Sequence, residues 1–89
     1  MNGLFRDSDE HALGAIAALR DRGSDAPGDV SVVGFDGIPG LSASLTTVRQ
    51  DFRAIARAAI ALCRAADDPA DDGTREPHVV PVELIARAT

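Results

Sequence analysis

Lysine is absent from this chain. Its nine basic residues are all arginine, set against fourteen Asp and Glu, and the formal net charge is −5. An acidic chain with scattered arginines offers phosphates no electrostatic footprint, so direct contact with DNA is not expected of it. The single cysteine, Cys63, excludes an internal disulfide. It falls in an apolar helical stripe, where core packing is the expected role and a reactive thiol the alternative. No apolar run approaches the ~18 residues that a membrane span requires. The opening residues, Met1-Asn2-Gly3-Leu4-Phe5-Arg6-Asp7, lack the positive start and apolar stretch of a signal peptide, which points to the cytoplasm.

Chemistry-bearing patterns are equally sparse. There is no Ser-His-Asp order, no Gly-rich phosphate loop and no spaced pair of carboxylates, so no catalytic residue is nominated and an enzyme is not expected. His11 stands beside Asp9 and Glu10, but a metal site needs three or four ligands, and His78 and Cys63 lie in segments without motif spacing. A solvated helix face accounts better for His11. No metal and no cofactor are expected.

What is present reads as a small α/β unit. At 89 residues the chain can be one small domain, and such a chain buries only roughly 60–65% of its unfolded surface. Ser8 and Asp9 are good N-cap residues, and Ala12, Ile16 and Leu19 recur behind them at helical spacing, with Leu13 and Ala17 alongside, until Gly23. A helix over about residues 9–22 is predicted. Ser24-Asp25-Ala26-Pro27-Gly28 is turn chemistry. A strand over about 30–35 follows, apolar at nearly every position, as in a parallel strand covered on both faces. A strand at about 3–6 should precede the helix, but only Leu4 and Phe5 are apolar there, so it is expected to be weak or missing. Residues 45–49 favour an extended segment. Asp51 can cap a second helix ending by about residue 66, with Phe52, Ile55, Ala56, Ala59, Ile60 and Cys63 on one stripe. Two short extended stretches, 78–82 and 83–87, close the chain, with Pro81 marking a bend or an edge between them.

The run Asp29-Val30-Ser31-Val32-Val33-Gly34-Phe35-Asp36-Gly37-Ile38-Pro39, followed by Leu45-Thr46-Thr47-Val48-Arg49-Gln50, resembles a signature of the lactose-repressor (LacI/GalR) family of transcription regulators. The similarity runs from about Ser8 to the end. It implies a fragment of a Rossmann-like, two-lobed, periplasmic-binding-protein-like type I domain, with helix, parallel strand, crossover strand, helix and two short strands in order. On that resemblance residues 1–48 are a piece of the lobe far from DNA, 49–76 the crossover and a helix of the other lobe, and 77–89 the return strands, with no DNA-binding domain. Helix two would then pack on a lobe that this chain does not contain. The chain reads as the last part of a regulator's sensor, a truncated product or remnant. A piece of a sugar-binding transport protein of the same fold is the competing class.

The residues that could hold a ligand follow from the same runs. Asp36 ends a buried strand, and open α/β sheets place ligands beyond the carboxyl ends of their strands. A carboxylate there can accept two hydrogen bonds from vicinal hydroxyls of a sugar, or it can open the Asp-Gly-Ile-Pro turn with an Asx-type bond. Ser8-Asp9-Glu10-His11-Ala12-Leu13-Gly14 resembles the family's Asn-Asp-x-x-Ala-x-Gly, with Ser8 where Asn is usual. Ser8 and Asp9 are therefore ligand candidates at a helix N-terminus, or simple caps. Gln50 is a hinge hydrogen-bonder or a ligand contact, and Phe52 a cleft wall or a core residue. The resemblance also implies a carbohydrate-like small-molecule effector and a homodimer in the complete regulator. Leu13, read as an exposed leucine on a polar helix face, would anchor that dimer together with the loop after Asp36. That loop, Leu41-Ser42-Ala43-Ser44-Leu45, is shorter than the family's usual connection.

Overall fold

The apolar, β-branched run after the Ala26-Pro27-Gly28 turn does form a strand, β2 (Val30–Asp36), and it is central to the fold. The computed structural model describes residues 2–41 and 43–89. Within them β1 spans Asn2–Phe5, α1 Asp9–Asp21, β3 Thr46–Gln50, α2 Phe52–Ala66 and β4 Val82–Ile85. The strands make a four-stranded sheet in the order β1-β2-β3-β4. β1 runs parallel to β2 from Asn2↔Val30 to Phe5↔Val33, and β3 parallel to β2 from Val33↔Thr46 to Asp36↔Arg49. β4 is antiparallel to β3, from Thr47↔Ile85 to Gln50↔Val82. The parallel β1-α1-β2 order is the βαβ arrangement in which a helix covers a sheet face.

The chain forms two compact units. One runs to Gln50 and is completed by Val82–Thr89; the other is Asp51–Pro81. In the first, Ala12 of α1, Val32 of β2 and Leu45 form the buried core, with Leu4, Leu13, Ile16, Leu19, Ala26 and Val30 packed around them. Residues 87–89 close the sheet at the end opposite Asp36. The Thr89 carbonyl accepts from Val32 N, its hydroxyl accepts from Thr46 N and donates to the Val32 carbonyl, and Ala88 N donates to the Ser44 carbonyl. Gly23, with φ +77°, ends α1 in the left-handed conformation that glycine adopts at little steric cost.

In the second unit Asp51 caps α2 by accepting from Ala54 N at 3.0 Å, but no residue of α2 is buried. Cys63 is therefore exposed, which corrects its expected place in a core. The amphipathic stripe forms, but its apolar residues stay in water.

The strand before α1 forms as a short, largely exposed one, the weaker of the two expected outcomes, because four residues need little side-chain pattern of their own when β2 offers a ladder of backbone partners. Two further expectations are corrected. Only one closing strand forms. Residues 78–81 stay irregular, since Pro81 has no N–H to give and the register with β3 begins at Val82. Leu13 is half-buried against the core instead of exposed. Ser42, in the shortened loop, lies outside the described residues.

Candidate functional site

β2 and β3 run parallel, so their carboxyl ends lie side by side and carry Asp36 and Gln50. The Gln50 side-chain amide donates to Asp36 Oδ1 at 2.7 Å, in a half-buried setting. Among the described residues the second oxygen, Oδ2, has no hydrogen-bond partner. Asp36 has φ +113° and is the sole non-glycine with positive φ among the described residues. An L-residue held there stores on the order of 1–3 kcal/mol of strain, and such strain gathers at ligand clamps and active sites. Gly37 then continues at φ +71° with its backbone against Arg49. A Cβ at Gly37 would fall 2.9 Å from both Arg49 Cα and Cβ, so only glycine lets the chain leave the sheet here.

The N-terminus of α1 follows the carboxyl end of β1 and so belongs to the same end of the sheet. Ser8 is its N-cap: the Oγ accepts from His11 N at 3.2 Å. Asp9 does something else. Its side chain is buried, with Oδ1 accepting from the Thr47 hydroxyl at 2.6 Å and Oδ2 from Ile38 N at 2.9 Å. Of the two candidates at this helix start, Ser8 carries the cap and Asp9 ties the helix to β3 and to the loop after Asp36. Both Asp9 oxygens are engaged within the protein.

His11 pairs with Asp7 at 2.8 Å on the exposed face. This hydrogen bond is the main reason the Asp7 carboxyl lies below the ordinary carboxylate range, against a smaller opposing effect of desolvation. No group of His, Cys, Asp and Glu among the described residues is arranged to hold a metal. Phe52, the first residue of α2, is about half exposed and contributes to no core. Asp36, Gln50, Ser8 and Asp9 thus share one end of the first unit, whereas Phe52 belongs to the second.

Thr47 escaped the sequence reading, which took Thr46 and Thr47 only as strand formers. A signal existed. Leu45 and Thr47 have the same parity, so Thr47 faces inward beside a core leucine, and a buried hydroxyl requires a partner. Gly34 is the matching space, since a Cβ there would lie 2.5 Å from Asp9 Oδ1.

The periplasmic binding protein-like domain model matches residues 2–89. The transcriptional regulator MalR of Clostridium butyricum is 36% identical over 90 residues, covering 98% of this chain and 26% of the regulator. The lactose operon repressor of Escherichia coli K12 is 34% identical over 86 residues, 92% of this chain and 23% of the repressor. A crystal structure of the lac repressor dimer, bound to operator and the anti-inducer ONPF, superposes with a TM-score of 0.86 at 28% identity, over 99% of this chain and 31% of that one. The chain therefore spans between a fifth and a third of these relatives, all of them transcriptional regulators and none an enzyme. The parallel strands with a covering helix, the antiparallel edge and the match over almost every residue agree on one assignment: the chain, which over this stretch is similar to LacI-type transcriptional regulators, belongs to the periplasmic binding protein-like domain family.

Proposed function

We infer that this chain is the ligand-sensing portion of a LacI-type regulator, and that its effector is a polyhydroxylated small molecule of carbohydrate type. The observation that carries this reading is Asp36. A strained, half-buried carboxylate projects from the carboxyl end of a parallel strand, one oxygen held by Gln50 and the other without a hydrogen-bond partner among the described residues. Such an oxygen suits a hydroxyl donor, and a charged acceptor strengthens the bond. Ser8 stands at the same end of the sheet, at a helix N-terminus that favours an oxygen-rich ligand. In this reading Gln50 orients Asp36 through its side-chain amide.

The regulator acts as a homodimer in this reading, with Leu13 at the contact. Half-buried Leu13 lines a surface groove with Ile16, Ala17 and Arg20 of α1, and the solved lac repressor is a dimer. Operator contact belongs to other parts of the regulator, because this stretch is acidic and its arginines form no stripe. The whole assembly works in the cytoplasm, as befits a regulator that must reach DNA. No helix among the described residues is long and apolar enough to cross a membrane.

The test replaces the matching part of the Escherichia coli lactose operon repressor with this chain and reads operator repression across a panel of mono- and disaccharides. A sugar-responsive chimera whose response is lost in Asp36→Asn, with repression retained, is the expected outcome. An Asp36→Asn chimera that responds like its parent overturns the assignment of Asp36.

A further inference from the structure

We propose that Asp9 is a positioning residue for the site: its buried carboxylate fixes the Asp36–Gln50 pair without touching the ligand. Both of its oxygens are committed, each to one of the two segments that carry the pair. Oδ1 accepts from the Thr47 hydroxyl at 2.6 Å, three residues before Gln50 on β3, and Oδ2 accepts from Ile38 N at 2.9 Å, two residues beyond Asp36. One rigid group, buried with only 2% of its surface exposed, thus sets the distance between the end of β2 and the end of β3 from the helix side. Charged acceptors give short, directional bonds, and breaking one inside a protein leaves a buried group unpaired, so the clamp resists displacement.

The surroundings are built for this carboxylate. Gly34 leaves the space it occupies, since a Cβ there would meet Asp9 Oδ1 at 2.5 Å, Leu45 Cδ2 at 3.1 Å and Ala12 Cβ at 3.3 Å. Asp36 sits at φ +113°, and a strained backbone persists only where its neighbours over-determine it. The Ile38 N bond is one such constraint on the loop side, one residue beyond the close approach of Gly37 to Arg49. Asp9 therefore belongs to the machinery of the site although both of its oxygens are spent on Thr47 and Ile38.

This role rests on the reading of Asp36 as the effector contact, and the test separates the two. The side-chain amide of Gln50, which donates to Asp36, is a direct reporter of the pair in the 89-residue chain by 15N–1H correlation spectroscopy. Asp36→Asn defines where this resonance moves when the charged acceptor is lost. Asp9→Asn is expected to move it toward that position. Thr47→Val, which removes the hydroxyl without changing side-chain size, should do the same, and Thr47→Ser, which restores the hydroxyl, should return it. If Asp9→Asn does not fold, the two Thr47 variants decide alone. A Gln50 resonance unmoved in Thr47→Val, with only the melting temperature lowered, overturns the positioning role and leaves Asp9 a structural anchor. A resonance that moves as expected, in a protein whose sugar binding is indifferent to Asp36→Asn, upholds the positioning role and overturns the effector reading instead.

Discussion

An aspartate with φ +113° at the end of a strand, followed by a glycine pressed against the neighbouring backbone, is an expensive way to make a turn. The pairing of Asp36 with Gln50 explains what the conformation achieves: it aims a carboxylate beyond the sheet. In a regulator containing this segment, Asp36→Asn should weaken effector binding by about tenfold to a hundredfold, equivalent to roughly 1.5–3 kcal/mol for a hydrogen bond to a charged group, with the melting temperature unchanged. Titration calorimetry alongside thermal unfolding checks both halves. Gly34→Ala should do the reverse, destabilising by about 1–3 kcal/mol in urea unfolding, because the added methyl meets Asp9, Leu45 and Ala12 in a filled core. Asp36 was legible in the sequence because a carboxylate that closes an apolar, β-branched run marks the point where a buried strand gives way to a loop. The bond between Asp9 and Thr47 was not, since the partners lie on different elements and nothing local announces which acidic residue a strand threonine will meet.

Helices and the central strand were legible nearly to the residue, because a cap at one end and a glycine or a polar loop at the other bracket a clear period. α2 begins after Asp51 and ends at Ala66 as its stripe implies. The edge strands were not, for opposite reasons. β1 has too little side-chain signal and is made by the ladder β2 offers, whereas residues 78–81 have the β-branched composition but meet Pro81 before a partner is reached. The cap on α2 gives a direct test at this scale. Asp51→Ala removes the acceptor for Ala54 N and should cost about 0.5–2 kcal/mol of helix stability, seen as an earlier loss of helical circular dichroism on heating. An unchanged melt would mean that the helix start is held by something other than its cap.

For the whole molecule, the uncovered stripe of α2 and the negative charge decide behaviour in solution. Phe52, Ile55, Ile60 and Leu62 are exposed, and each large apolar side chain left in water forgoes roughly 1.5–3 kcal/mol of burial. The chain should associate reversibly, with a sedimentation coefficient that rises with concentration and falls back in Ile60→Glu. A monomer at every concentration would count against the reading of α2 as a face awaiting its partner. Gel shift at low salt should show no saturable DNA binding, since an acidic chain with scattered arginines has little to release counterions with. A different consequence follows from the pairing of Gln50 with Val82. Those two residues face each other across an antiparallel ladder, so to the sheet everything from Asp51 to Pro81 is an insertion at the tip of a hairpin. Closing a loop grows costlier only slowly with its length, by about 0.6 kcal/mol per doubling. That part of the chain could therefore be lengthened, exchanged for another domain, or replaced by a tight Asn-Gly turn, and β2 and β3 would keep their register and their amide protection.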